Sequence, residues 1–216
     1  MGSSMRLSVL SLTLACAALA SAAAQAQSAP PLKGNAEHGK EISYTCLGCH
    51  GIKGYRNAYP NYSVPKLEGQ HPEYLVLALQ EYRSGERSHT TMHAQASELS
   101  NQDMADIAAY FAGKPLEASA APANGHTPPA AAAVCVACHG ANGIGIVAQY
   151  PTLAGQHPDY LARALLEYKT GGRKNPVMAG MAAQVKDSDI DTITEYYGSL
   201  QPSLHTLERP VFAFSH

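Results

Sequence analysis

Cys46-Leu47-Gly48-Cys49-His50 and Cys135-Val136-Ala137-Cys138-His139 are two copies of one pattern, C-x-x-C-H, in a chain of 216 residues. Two cysteines three apart lie on one face of a helical turn, where their sulfurs can form thioethers with the two vinyl groups of one porphyrin. The histidine that follows at once then sets its imidazole beneath the iron. This is the haem c attachment pattern. A single copy would also suit a redox dithiol or half of a zinc site; two copies, each with its histidine, argue against both. The pattern predicts two covalently bound haem c groups. Cys46, Cys49, Cys135 and Cys138 are the attachment points, and His50 and His139 are iron ligands.

A longer repeat surrounds these motifs. Pro65-Lys66-Leu67-Glu68-Gly69-Gln70-His71-Pro72 returns as Pro151-Thr152-Leu153-Ala154-Gly155-Gln156-His157-Pro158. The match runs on through Tyr74 and Tyr160, Glu81-Tyr82 and Glu167-Tyr168, Arg87 and Arg173, Met92 and Met178, and Ile107 and Ile193. From Cys46 to Cys135 the step is 89 positions, whereas from Pro65 onward it is 86. The first half therefore carries three extra residues between its histidine and Pro65. Fixed-period self-similarity of this kind marks repeated structural units, here two small homologous domains at 27–112 and 130–202. The alanine- and proline-rich run 113–129 reads as an irregular linker, and 203–216 as a C-terminal extension.

A histidine-ligated iron keeps one open axial position, and like domains should fill it alike. Met92 and Met178 recur in register, each expected on a loop before the last helix of its half. A thioether favours ferrous iron and raises the potential. Met181 lies close enough to Met178 to compete for the second iron. His89 and His93 flank Met92 without histidine counterparts at Asn175 and Ala179, and read as surface residues. Ligating imidazoles donate their other N–H to a fixed acceptor, a part that the Pro65 and Pro151 carbonyls can take. Gly69-Gln70 and Gly155-Gln156 read as structural, and His71 and His157 as helix-start or surface residues.

The remaining secondary structure is helical throughout. Asn35 to Thr45 forms a helix leading into the first motif, with a shorter alanine-rich counterpart before Cys135. Pro72 and Pro158 suit the first positions of helices, which Gly85 and Gly171 end. Ser100 with Asp103 opens the last helix of the first half, and Asp187 or Ser188 opens its match. The chain has no tryptophan and only 3 phenylalanines, so something besides its own aromatic side chains must fill the interior.

Arg6, the apolar run Leu7 to Ala20 and the A-x-A site Ala24-Gln25-Ala26 read as a signal peptide over 1–26. Cys16 inside it fits a lipid-acceptor signal poorly. The mature chain is expected in the periplasm, where four cysteines would ordinarily suggest disulfides, but their spacing points to haem. A net charge of -2 and a pI near 6.5 give no basic face for nucleic acid.

With both C-x-x-C-H motifs, the P-x-L-x-G-Q-H-P segments, the E-Y-x-x-G elements and the methionine-to-Tyr110-Phe111 and Tyr196-Tyr197 stretches in place, the region up to Pro202 resembles the cytochrome c4 family. The resemblance implies an all-α fold of two tandem class I cytochrome c domains related by an approximate twofold. It implies Cys46, Cys49, His50 and Met92 around one haem, and Cys135, Cys138, His139 and Met178 around the other. It further implies a shuttle between a quinol-oxidising cytochrome complex and a terminal oxidase, with peripheral membrane association. The loop Arg87 to His93 departs from the pattern in lacking the proline present at Pro176. A methionine in both halves favours an electron carrier over a dihaem peroxidase, which needs a displaceable sixth ligand. An electron-accepting subunit of a periplasmic dehydrogenase would use the same chemistry with a fixed partner.

Overall fold

Helix α1, Ala36–Ile42, starts where the Asn35 side chain accepts from the Glu37 and His38 N–H groups at 3.1 and 3.3 Å, satisfying donors that a helix start leaves open. The computed structural model describes residues 32–118 and 125–208. The expected signal peptide with Cys16, positions 119–124 of the linker and the tail from 209 lie outside the described residues. After α1 come α2 (Leu47–His50), α3 (Pro72–Ser84), α4 (Thr90–Ser97) and α5 (Asn101–Ala112). The second half matches α2 to α5 with α6 (Ala133–His139), α7 (Pro158–Thr170), α8 (Pro176–Gln184) and α9 (Ile190–Ser199), and in place of a separate first helix it has a 3-10 turn over Ala130–Ala132. Among the described residues β-structure is confined to isolated bridges, and the fold is all-α.

The caps are largely those the sequence names. Pro72 and Pro158 stand in the first turns of α3 and α7, and Gly85 and Gly171 close them in the left-handed conformation at φ 76° and 81°. Ser100 and Asp103 form a reciprocal capping box at the start of α5. Three expectations need correction. The entry helix α1 ends at Ile42, short of Thr45. Met92 and Met178 sit in helices α4 and α8, not on loops. The matching last helix α9 begins at Ile190, after a short 3-10 turn over Asp187–Asp189.

In the first half, α1 crosses α5 so closely that a Cβ on Gly39 would stand 2.0 Å from the Asp106 carbonyl oxygen. Asp106 itself is buried. Its Oδ1 accepts from the Asn35 N–H and the Gln102 amide, both at 2.7 Å, and its Oδ2 meets His38 Nδ1 at 2.8 Å. The hydrogen bond to Asp106 raises the His38 pKa from 6.5. Its contribution to stability is therefore fully present below pH 6.5 and is lost as pH rises through the folded value. Melting curves of the haem-bound protein between pH 6 and 8.5 should show His38→Gln less stable at the acid end and converging on wild type at the alkaline end. A constant gap would rule this linkage out.

The first core gathers Leu47, Leu75, Ile107, Ala108, Phe111 and Ala112, and the second Leu161, Ile193, Tyr196, Tyr197 and Leu200. The halves are bonded to each other at several places. Ser88 N–H donates to the Gly172 carbonyl at 2.7 Å, and Lys174 N–H to the Glu86 carbonyl at 2.9 Å, so the same bond recurs one repeat apart. The longer first-half loop adds contacts without a counterpart. Ser63 donates through its N–H and its hydroxyl to Asp159 Oδ2 at 2.9 and 3.0 Å, and Arg56 pairs with the same oxygen at 2.9 Å. The described start of the tail also joins both halves. Leu204, fully buried, donates to the Ala154 carbonyl, and His205 exchanges two backbone bonds with Glu68.

Candidate functional site

Each C-x-x-C-H motif falls on a helical turn, within α6 in the second half and from Cys46 through α2 in the first. The four motif cysteines are partly buried and none is paired in a disulfide, so both sulfurs of each motif are available for thioether attachment. His50 Nδ1 donates to the Pro65 carbonyl at 3.1 Å, and His139 Nδ1 to the Pro151 carbonyl at 2.9 Å. A carbonyl only accepts, so these bonds place the proton on Nδ1 and leave the Nε2 lone pair of each ring free to bind a metal. Burial lowers both imidazole pKa values, partly opposed by the carbonyl bonds. Both rings are neutral at pH 7 and able to ligate iron. Phe111 packs edge-on against His50 at 6.3 Å.

Two cavities open beside these motifs. The first is lined by Cys46, Cys49, His50 and Met92 with Leu75, Leu79, Ile107 and Phe111. The second is lined by Cys135, Cys138, His139, Met178 and Met181 with Leu161, Leu165 and Ile193. Every sequence-derived site residue is thus brought to one of two cavities, four to each. Met92 and Met178 also occupy the same position on their helices. The Met92 N–H donates to His89 Nδ1 at 3.2 Å, and the Met178 N–H to Asn175 Oδ1 at 3.1 Å. His89 and Asn175 are therefore matching N-caps despite their different side chains. His89 also lines the first cavity rather than the surface, whereas His93 is exposed, its Nδ1 on the Tyr82 carbonyl at 2.8 Å.

The residues present fit a haem. The cavities are walled mainly by apolar side chains, and among the described residues four buried polar atoms lack protein partners: Ser43 Oγ, Arg87 Nε, Thr152 Oγ1 and Tyr197 Oη. Arg87, Thr152 and Tyr197 line the second cavity, and such orphaned donors suit the carboxylates of a porphyrin edge. Among the described residues no three of His, Cys, Asp and Glu converge as a metal site.

The two cavities share a wall. Pro65, Leu67, Tyr74, Leu75, Arg87 and Tyr160 line both. Within it Arg87 is buried against Glu81 at 2.8 Å with its guanidinium over Tyr74 and Tyr82, at 5.7 and 5.1 Å from the ring centroids. Arg173 repeats the arrangement with Glu167 at 2.8 Å and with Tyr160 and Tyr168, both at 5.5 Å. Sequence reading aligned both arginines within the repeat but assigned them no role. Their recurrence, with Glu81 and Glu167 six residues before them, was the signal available.

The cytochrome c family model matches residues 36–113 and 129–201. Cytochrome c4 of Pseudomonas aeruginosa is 34% identical over 182 residues, spanning 77% of this chain and 89% of that protein. This chain belongs to the cytochrome c4 family. The crystal structure of reduced recombinant cytochrome c4 from Pseudomonas stutzeri superposes with a TM-score of 0.60 at 32% identity, covering 78% of this chain and 100% of that one. Like the other members of the cytochrome c4 family, the chain is a dihaem electron-transfer protein rather than an enzyme, and each C-x-x-C-H motif supplies one haem c site. A protein named thiosulfate dehydrogenase electron acceptor, from Stutzerimonas stutzeri, is 30% identical over 171 residues, 72% of this chain and 78% of its own length. Thiosulfate dehydrogenase from Marichromatium purpuratum matches with a TM-score of 0.56 at 30% identity, covering 72% of this chain and 36% of that one.

Proposed function

We propose that Cys46, Cys49, His50 and Met92 hold one haem and Cys135, Cys138, His139 and Met178 the other, in a carrier that passes electrons through the periplasm from a quinol-oxidising cytochrome complex to a terminal oxidase. Bound haem supplies one-electron exchange between ferric and ferrous iron. The chain's own residues do the rest. The cysteines would hold the porphyrin covalently, and the histidines, held by the Pro65 and Pro151 carbonyls, would ligate iron through Nε2. The methionine thioethers would complete the ligand set and keep water and peroxide out. Met178 rather than Met181 takes this part because it stands where Met92 stands, with its N–H on the helix cap. Met181 lies one turn further along α8 and is more than a third exposed.

The observation that carries the reading is the shared wall. Six residues line both cavities, so groups bound there would be separated by a single packed wall, which suits passage of electrons between them. A second reading, an electron acceptor dedicated to a periplasmic dehydrogenase, is supported by the likeness to the Stutzerimonas stutzeri electron acceptor. Among the described residues no helix is long and apolar enough to cross a membrane.

Mass spectrometry of the denatured protein should find two haems still attached, because thioethers survive loss of the fold. One haem, or a disulfide in either motif, would defeat the ligand assignment. Isolation from the native host then separates the two partner readings. A stoichiometric dehydrogenase in the preparation supports the subunit, and recovery alone with rapid oxidation by terminal-oxidase membranes supports the shuttle.

A further inference from the structure

Each half reaches across to the peptide beside the other half's histidine. Gln70, 3% exposed, accepts the Thr152 N–H on Oε1 at 2.8 Å and donates from Nε2 to the Thr152 carbonyl at 3.0 Å. Gln156, 4% exposed, repeats the clamp on Lys66, accepting its N–H at 3.0 Å and donating to its carbonyl at 2.9 Å. In each case the same Oε1 also accepts the next residue's N–H, His71 or His157, at 3.0 Å. Each glutamine is thereby tied to the start of its own helix, α3 or α7.

The Thr152 N–H and the Pro151 carbonyl belong to one planar peptide unit, and that carbonyl accepts from His139. Likewise the Lys66 N–H and the Pro65 carbonyl form the unit that accepts from His50. We infer that Gln70 and Gln156 are crossed positioning residues, each fixing the peptide that orients the iron-ligating histidine of the opposite half. This rests on the ligand assignment proposed above. The clamp acts in two ways. It holds the plane in place, and by accepting at the N–H end it polarises the carbonyl at the other end, since hydrogen bonds in a chain strengthen one another. A stronger carbonyl acceptor makes the imidazole more basic, which stabilises ferric iron and lowers the potential. The halves are then coupled through the peptide as well as through the cavity wall.

The test uses the haem-bound full chain with Gln70→Leu, Gln156→Leu and Gln70→Met, the last keeping length and a weak sulfur acceptor. Haem methyl NMR signals assign each midpoint to its half. Gln70→Leu should raise the second-half midpoint by about threefold in the reduction equilibrium, roughly 30 mV at 59 mV per tenfold for one electron. It should also speed solvent exchange of the His139 Nδ1 proton several-fold and leave the first half unmoved. Gln156→Leu should do the same to the first half, and Gln70→Met should fall between wild type and Gln70→Leu. If Gln70→Leu does not accumulate, Gln70→Met and Gln156→Leu carry the test. An effect on the variant's own half, an equal effect on both, or none while both haems and their methionine spectra persist overturns the inference. Absence of methionine ligation in the unmutated protein would instead remove the ligand assignment beneath it.

Discussion

Met92→Ala and Met178→Ala should each remove about half of the weak long-wavelength band of sulfur-to-iron charge transfer in the ferric protein. Each should also lower one haem potential by a few hundred millivolts, a large part of the roughly 0.8 V over which axial ligands tune haem. The other haem should stay within a few tens of millivolts, because each methionine lines its own cavity only. Each variant should bind cyanide or carbon monoxide at the emptied position, which the unmutated protein resists. The sulfur is a soft, neutral ligand that favours ferrous iron, so its loss moves the potential down. If Met178→Ala changes nothing and Met181→Ala abolishes half of the band, the second ligand is misassigned and the carrier stands. Rapid carbon monoxide binding and peroxide turnover by the unmutated protein would contradict the carrier itself.

Met92 looked like a loop residue from sequence alone for a physical reason, whereas Asn175-Pro176 before Met178 is a legible helix start. Thr90 and Thr91 are β-branched and weak helix formers, and no Ser, Thr, Asp or Asn stands at position 89 to announce a start. The missing cap is His89, whose ring nitrogen accepts the Met92 N–H as Asn175 accepts that of Met178. A histidine cap leaves no pattern to read. Covalent chemistry, by contrast, is legible without a fold. The C-x-x-C-H spacing named the cysteines, the histidines and the cofactor, and the regular offset aligned the methionines and both proline carbonyls. Gln70 and Gln156 were visible as repeated residues, but their partners, Thr152 and Lys66, lie in the other half. A one-dimensional repeat shows what is duplicated, not what pairs across the duplication. The same blindness hid Leu204 and His205, which belong to neither repeat yet join both halves.

Chain made without haem attachment should be largely unfolded, and this is the largest effect expected of any single change. The cavities beside the motifs measure about 210 and 310 Å³. At about 24 cal/mol per Å³ of void, leaving them empty costs roughly 5 and 7 kcal/mol, which water entering from their open side would reduce. Yet a domain's whole stability is about 5–15 kcal/mol. The first half makes the point residue by residue. Its buried side chains fall into two clusters, one around Leu75, Ile107 and Phe111 and the other around Tyr82, Ala96 and Met104. Leu79, Leu99 and Met92 lie between cluster and cavity. With no tryptophan and 3 phenylalanines, the chain brings few wholly apolar rings to that space. Cys135→Ala combined with Cys138→Ala, which blocks attachment at one site, should leave a protein with a single haem, a markedly weaker helical circular dichroism signal and rapid proteolysis within the second half. Ligand-stabilised folding of this kind follows from binding to the native state alone. Sharp, dispersed NMR signals from haem-free chain, or undiminished helicity in the double variant, would show that the polypeptide builds these cavities unaided.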